Sequence, residues 1–390
     1  MGAGALSDAE LPAVLAIDGG NSKTDVALVA ADGTLLASVR GPGVPGMLSL
    51  GETLGVLGDA ARAAVAAAGR APAGPGSRIA AHVSACVANA DLPEEERQLD
   101  EALREAGWSD TVHVANDTFA VLRAGLDGPG PHWGVAVTCG AGINCVGVAP
   151  DGRVIRYLAL GEFTGDWGGG HGLSREMLWW AARAEDGRGP QTALREGVCA
   201  LLGASSMWDV AVGLHTGKIG WDQALRLTSV LFEAAAAGDQ VALDLVRRQA
   251  GEVCAMAVSA IRRLGLADQP VPVSLGGGVL TARDPLLTAE INRRFADEAP
   301  MATVRIVDIP PVGGAALLGL DHLGAPPAAH ARLRAAYLTA APVGLPPVGL
   351  PPVDIEVPDD ARELDREEQA YQQRRTPPAA NRPARRRLGQ

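Results

Sequence analysis

LAIDGGNSKTDVALVAAD, residues 15–32, is the stretch whose reading decides the fold. An apolar strand (Val14, Leu15, Ala16, Ile17) runs into Asp18-Gly19-Gly20-Asn21-Ser22-Lys23-Thr24, and a second strand-like run, residues 26–30, returns at once. Paired glycines let the backbone approach a ligand closely and aim several N–H groups at an anion. Ser22, Lys23 and Thr24 add two hydroxyls and an ammonium, and Asp18 adds a carboxylate suited to a hard cation. The Gly-x4-Gly-Lys-Ser/Thr spacing of a P-loop is absent, and no helix follows. Alone, the stretch reads equally as an ordinary hairpin turn, because Asp, Gly, Asn and Ser are common turn formers.

The pattern comes back. Residues 133–138 form an apolar strand leading to Cys139-Gly140-Ala141-Gly142-Ile143-Asn144, and residues 145–149 return. Each returning strand meets an Asp-Gly pair (Asp32-Gly33, then Asp151-Gly152), a strong hairpin signal. A third strand follows each pair, residues 34–40 and 154–160. Internal repetition speaks to architecture more firmly than any single motif. Two such units facing each other put their glycine turns on either side of one cleft, where phosphate is held from both sides.

Outward from these turns, residues 41–46 (GPGVPG) read as a loop and 50–69 as an Ala-rich helix. Residues 78–86 and 111–115 read as strands, with a helix over 92–107 between them whose first turn carries Glu94, Glu95 and Glu96, matching its dipole. Asn116-Asp117-Thr118 opens another helix, which runs to Gly125. Residues 161–172, GEFTGDWGGGHG, form a glycine-dense loop carrying Glu162, Asp166, Trp167 and His171. Helix is expected from 174 to about 265, with breaks at its glycines. A buried strand then ends at Gly276-Gly277-Gly278, another covers 304–308, and a helix over 311–322 closes the second unit. Beyond 342, VGLPP occurs twice, and an acidic run and six arginines follow. That composition predicts a disordered tail. The expected domains are 1–117, with a returning helix at 324–341, then 118–323, and the tail 342–390.

Composition narrows the function. The net charge of −11 argues against a general nucleic-acid binder. Five scattered cysteines form no CxxC and no zinc spacing, and read as buried reduced thiols. There is no signal-peptide pattern and no apolar run of membrane-spanning length, so a cytoplasmic protein without a membrane partner is expected.

Taken together, DGGNSKT, NDTFAVLRAG, TCGAGINC, GDWGGG and SLGGG, in that order over residues 15–322, resemble the N-acetylglucosamine kinase branch of the benzoyl-CoA reductase ATPase family. That family sits in the superfamily of actin, sugar kinases and heat-shock chaperone ATPases. The resemblance implies an α/β fold of two duplicated ribonuclease H-like (actin-like ATPase) domains around a central cleft, with ATP and Mg2+ as cofactors. It puts Asp18 near Mg2+, Gly19, Gly20, Asn21, Ser22, Lys23 and Thr24 in the first phosphate loop, and Thr138, Gly140, Ala141 and Gly142 in the second. It brings Gly276, Gly277 and Gly278 close to the adenosine and α-phosphate. It makes Asp117 the general base and puts Asn116, Asn144 and Asp166 on the sugar. Local alternatives stand beside these roles. Asp117 is also a candidate N-cap, Asn144 a turn former, and Gly276 to Gly278 a strand-to-helix turn. Two positions depart from the family pattern: Val44-Pro45 stand where these kinases carry Asn-His, and Leu160-Gly161 where animal members carry Trp-Gly.

The implied reaction is phosphoryl transfer to the 6-hydroxyl of an amino sugar, N-acetylglucosamine first, with glucosamine or another hexosamine as the alternative and a homodimer as the assembly considered. Two rivals belong to other classes. An ATP-driven activator of a dehydratase or reductase needs exposed, closely placed cysteines for a shared iron–sulfur cluster. A non-catalytic sugar sensor needs neither Asp18 nor Asp117.

Overall fold

β2 (Lys23–Val29) runs antiparallel to both β1 (Val14–Gly19) and β3 (Leu35–Pro42), and α1 (Leu50–Ala67), β4 (His82–Val87), α2 (Pro93–Glu105) and β5 (Thr111–Asn116) follow. The resulting sheet has the order β3-β2-β1-β4-β5, with β1, β4 and β5 parallel. This is a computed structural model, and it describes residues 11–46, 48–70, 76–128 and 132–339. The tail expected at 342–390 lies outside the described residues.

After α3 (Asp117–Gly125) come β6 (Gly134–Cys139), β7 (Ile143–Val148) and β8 (Val154–Arg156). The chain then passes through α4 (Gly169–Asp186), α5 (Leu194–Leu202), α6 (Met207–His215), α7 (Trp221–Ala224), α8 (Leu227–Ala236) and α9 (Gln240–Leu264). It returns to the second sheet as β9 (Val271–Gly276), leaves by α10 (Gly278–Thr281) and α11 (Pro285–Glu298), and re-enters as β10 (Ala302–Ile306). α12 (Pro311–His322) and α13 (Pro327–Thr339) finish the described chain. The second sheet runs β8-β7-β6-β9-β10, strand for strand the order of the first.

The sequence dictates the layers locally. β1 is buried throughout, and its side chains alternate between two cores: Leu15 and Ile17 pack under α1, while Val14 and Ala16 face the space between the sheets. α3 and α12 fill that space and need small neighbours, which Ala16, Ala27 and Ala136 supply. Where the two helices cross, a Cβ on Gly314 would lie 1.9 Å from the Ala120 carbonyl oxygen, so only glycine fits. Ser49 and Glu52 form a capping box that fixes the start of α1.

Several expectations change. α12, assigned by sequence proximity to the second unit, packs on β1, β4 and β2 of the first sheet, and the Ser84 hydroxyl donates to Ala315 O at 2.7 Å. The third strand of the second unit stops at Arg156 rather than 160, before Ala159 turns to φ 53°. The glycine-dense loop is not loop throughout, because a 3-10 turn covers Gly161–Thr164 and α4 begins at Gly169. β3 reaches Pro42, which shortens the expected GPGVPG loop. Among the described residues no single helix is long and apolar enough to cross a membrane.

Candidate active site

The loops beyond the C-terminal ends of β1, β4, β6 and β9 meet over a cleft of about 700 Å³. Ligands of parallel α/β sheets bind at such strand ends. On the first side β1 stops at Gly19 and β2 begins at Lys23, so Gly20, Asn21 and Ser22 turn in the open, with Gly20 N donating to Lys23 O at 2.8 Å. Gly20, Asn21, Ser22 and Lys23 line the cleft. Gly19 and Thr24 are buried behind them as a register pair. Asp18 lies at the cleft wall, 6% exposed, and burial pushes its carboxyl up to about 6 against the pull of Lys23. The Lys23 ammonium sits 3.6 Å from Asp18 and also bonds Asp25. Burial would raise Asp25 too, but Arg40 bonds at 2.6 and 3.0 Å, with Lys23, hold it below its usual value.

On the opposite side Thr138, Gly140, Ala141 and Gly142 line the cleft, and Gly140 N closes the turn onto Gly142 O. The first turn of α4 braces it: Gly170 N donates to Gly140 O at 2.7 Å and His171 N to Ala141 O at 2.9 Å. That contact needs glycine at 169, where φ is +70° and a Cβ would lie 2.5 Å from the Gly142 backbone. Gly276 closes β9 and is buried, while Gly277 and Gly278 reach the cleft. Two observations fit a polyphosphate here. The Thr138 hydroxyl is buried without a partner, and a Cβ on Gly140, Gly142 or Gly278 would meet nothing and stand in open cleft space.

Between the turns lies an acidic floor. The cap of α3 is Asn116, whose side-chain oxygen accepts from Thr118 N at 3.1 Å and Thr118 Oγ1 at 2.7 Å. Asp117 is therefore the first helical residue and is free of capping duty. It lines the cleft, and burial together with the Asp18 charge pushes its carboxyl up to about 7. Asp91, on the loop between β4 and α2, also lines the cleft and is pushed up to about 7 by burial and by Asp117. A carboxylate poised near neutrality in a cleft is the property expected of a general base.

A family model described as the BadF/BadG/BcrA/BcrD ATPase family matches residues 15–319. The chain belongs to this family. It is 25% identical over 268 residues to an N-acetylmuramic acid/N-acetylglucosamine kinase of Clostridium acetobutylicum, covering 68% of this chain and 85% of that one. It is 24% identical over 314 residues to an N-acetyl-D-glucosamine kinase of Dictyostelium discoideum, covering 79% and 97%. The crystal structure of a Chromobacterium violaceum protein, provisionally named an N-acetylglucosamine kinase, shares the fold with a TM-score of 0.63 at 22% identity, covering 80% of this chain and 99% of that one.

Within this family member not every expected sugar residue reaches the cleft. Asn116 is 1% exposed and does not line it, because its amide is consumed by Thr118, Ala88 O and Asp91. Asp166 stands apart from the cleft lining, bonded by the Thr164 hydroxyl next to the Arg248–Trp167 stack. Asn144 does line it, with Nδ2 donating to Asp91 Oδ1 at 3.2 Å and Asn116 Oδ1 at 3.3 Å. Val44 is 1% exposed and packs in the core of the first sheet, so the loop after β3 does not present it to a substrate. Sequence reasoning missed Asn89, Asp91 and Arg40, which all line the cleft. The available signal was two polar residues, Asn89 and Asp91, directly after an apolar parallel strand.

The cysteines do not form an exposed cluster. Cys86, Cys139, Cys145 and Cys254 are buried, and burial pushes the Cys139 thiol up to about 12. The iron–sulfur activator reading therefore lacks its surface thiols.

Proposed function

We propose that the protein is an ATP-dependent kinase that phosphorylates the 6-hydroxyl of an amino sugar, with N-acetylglucosamine the first candidate. The observation that carries this is Asp117, a carboxylate relieved of helix capping and exposed to a cleft between two glycine turns. The names of the two curated relatives point to the same acceptor class. In this reading the two sheets are duplicated ribonuclease H-like halves, and closing them over the substrates excludes water that would otherwise hydrolyse ATP.

The 138–142 and 20–24 turns hold the phosphate chain from opposite sides, and Gly277 and Gly278 leave room for the nucleoside end. Mg2+, held near Asp18, neutralises charge on the phosphates when bound. Asp117 accepts a hydrogen bond from the 6-hydroxyl, aligns its oxygen with the γ-phosphorus and takes its proton as the new O–P bond forms. ADP departs with the electrons of the broken bond. Positioning and charge compensation supply most of such a rate enhancement, and a base contributes roughly 10²–10⁴ of it.

The test is ADP release across N-acetylglucosamine, N-acetylmuramic acid, glucosamine, N-acetylmannosamine and glucose, with the product located by phosphorus NMR. A 6-phosphate of an amino sugar is expected. ATP consumption without a sugar requirement, or none at all, would contradict the reading.

A further inference from the structure

The residues that still have hydrogen-bonding capacity at the acidic floor differ from those expected to read the sugar. Both Nδ2 hydrogens of Asn144 are used, one on Asp91 Oδ1 and one on Asn116 Oδ1, and its own Oδ1 accepts from Cys145 N at 2.7 Å. Asn116 is saturated and buried. Asp91 Oδ1 accepts from both asparagines, at 2.9 and 3.2 Å, whereas Oδ2 accepts nothing from any described residue. Asp91 lines the cleft, and Oδ2 is the carboxylate oxygen left to take a donor from a ligand there.

The backbone around Asp91 is locked from both lobes. Its N–H donates to Glu95 Oε2 at 3.0 Å. Arg156, on β8 of the other sheet, donates to Ala90 O at 2.8 Å and Asp91 O at 3.3 Å, and its Nη1 is taken by Glu96 at 2.8 Å. The guanidinium thus serves carbonyls and Glu96, and among the described residues the Asp91 carboxylate has no ion-pair partner. A fixed, unpaired carboxylate beside Asp117 repels phosphate and favours hydroxyl donors.

We infer that Asp91 is a specificity-determining residue that accepts a second ring hydroxyl of the sugar through Oδ2, while Asp117 takes the hydroxyl being phosphorylated. The β4–α2 loop then supplies the first lobe's sugar contact, a role that the buried Val44 cannot fill. This rests on the sugar-kinase reading above.

Asp91→Asn separates contact from positioning. The variant keeps an amide oxygen for Asn116 and Asn144 but replaces the free acceptor by an NH2 group. The expected result is a melting temperature and KM for ATP within about twofold of wild type, with KM for the sugar raised roughly tenfold or more. Against 3-deoxy and 4-deoxy sugar analogues, wild type should discriminate against one by about tenfold, and Asp91→Asn should treat that analogue like its parent. An unchanged sugar KM with unchanged discrimination overturns the proposal. So does a uniform loss of kcat with the sugar KM intact, which is positioning alone. Should that variant fail to fold, Asp91→Ser and calorimetric binding of the same analogues to wild type decide. Equal wild-type affinity for parent and both analogues overturns the proposal. A wild-type protein that phosphorylates no sugar removes both readings, whereas a wild-type sugar kinase whose Asp91 variants keep their sugar KM removes this one alone.

Discussion

Arg123 Nε lies 2.7 Å from Asp321 Oδ2, although 198 residues separate them. Arg123 lies in the last turn of α3 and Asp321 in the last turn of α12, so this pair fastens the two helices that fill the space between the sheets. The guanidinium is 1% exposed and spends its remaining donors on Leu126 O and Gly128 O, while His330 Nε2 lies 2.7 Å from Asp321 Oδ1. Removing the guanidinium takes the donor from the Leu126 and Gly128 carbonyls, while Asp321 keeps His132 Nε2 at 2.9 Å and His330 Nε2. Arg123→Met is therefore expected to cost about 1–3 kcal/mol of unfolding free energy in urea. A cost below roughly 0.5 kcal/mol would mean that the helices are held by their apolar contacts alone.

Val44→Asn is expected to act on stability rather than on sugar choice. The side chain is buried beneath the first sheet, its N–H donates to Gly20 O at 2.9 Å, and Asn89 bonds its carbonyl. An amide there meets no designed partner, at a cost of about 1–3 kcal/mol. Denaturant unfolding beside a sugar panel separates the outcomes, and a changed sugar preference at unchanged stability would return this turn to the substrate site.

Gly169→Ala tests the brace under the second glycine turn, proposed to hold phosphate. Its Cβ meets the Gly142 backbone, so the turn has to move. KM for ATP is expected to rise and the melting temperature to fall, with calorimetric sugar affinity retained. A wild-type KM for ATP would mean that the α4 start does not support the turn.

The carboxylates of the cleft make activity and stability run in opposite directions with pH. Asp18, Asp91 and Asp117 stand at about 6, about 7 and about 7 in the folded chain, above their unfolded value. A carboxyl raised in this way holds more protons folded than unfolded, so its contribution to stability is full at low pH and is lost as pH rises through the folded value. His82 is pushed down to about 4 by burial and by His322, and His113 is lowered by burial, so both lose stability as pH falls below about 6.5. The ligand-free melting temperature should therefore rise from roughly pH 8 to 6.5 while turnover declines, and rise less steeply below that, where the two histidines oppose the three carboxyls. Asp117→Asn should flatten part of the rise. A melting temperature that drops with pH across the upper window would contradict these assignments.

The two glycine turns were legible because each combines a short apolar strand, a Gly-containing turn and an Asp-Gly hairpin, all local chemistry. The order of the strands and the breaks at glycines between α4 and α9 came from the same local signals. What escaped depends on contacts far apart in the chain. α12 follows the second sheet in sequence, yet its small residues fit α3 and β1, which only the folded chain brings together. Asp91 looks like a loop residue before Pro93, and its meaning comes from Asn116 and Asn144, 25 and 53 residues onward. Val44 sits in a loop whose polarity is legible, but the direction of its side chain is not. Asp117 was read as cap or base, and in the folded chain Asn116 takes the cap, a contact the sequence does not show.

The turnover of Asp117→Asn tests the account most directly. Asparagine keeps the size and the Asn116 cap but cannot take the hydroxyl proton at neutral pH. The account predicts a folded variant with wild-type affinity for Mg-ATP and a turnover at saturating amino sugar reduced by roughly a hundredfold or more. Turnover near that of wild type would contradict the assignment of Asp117 as the base.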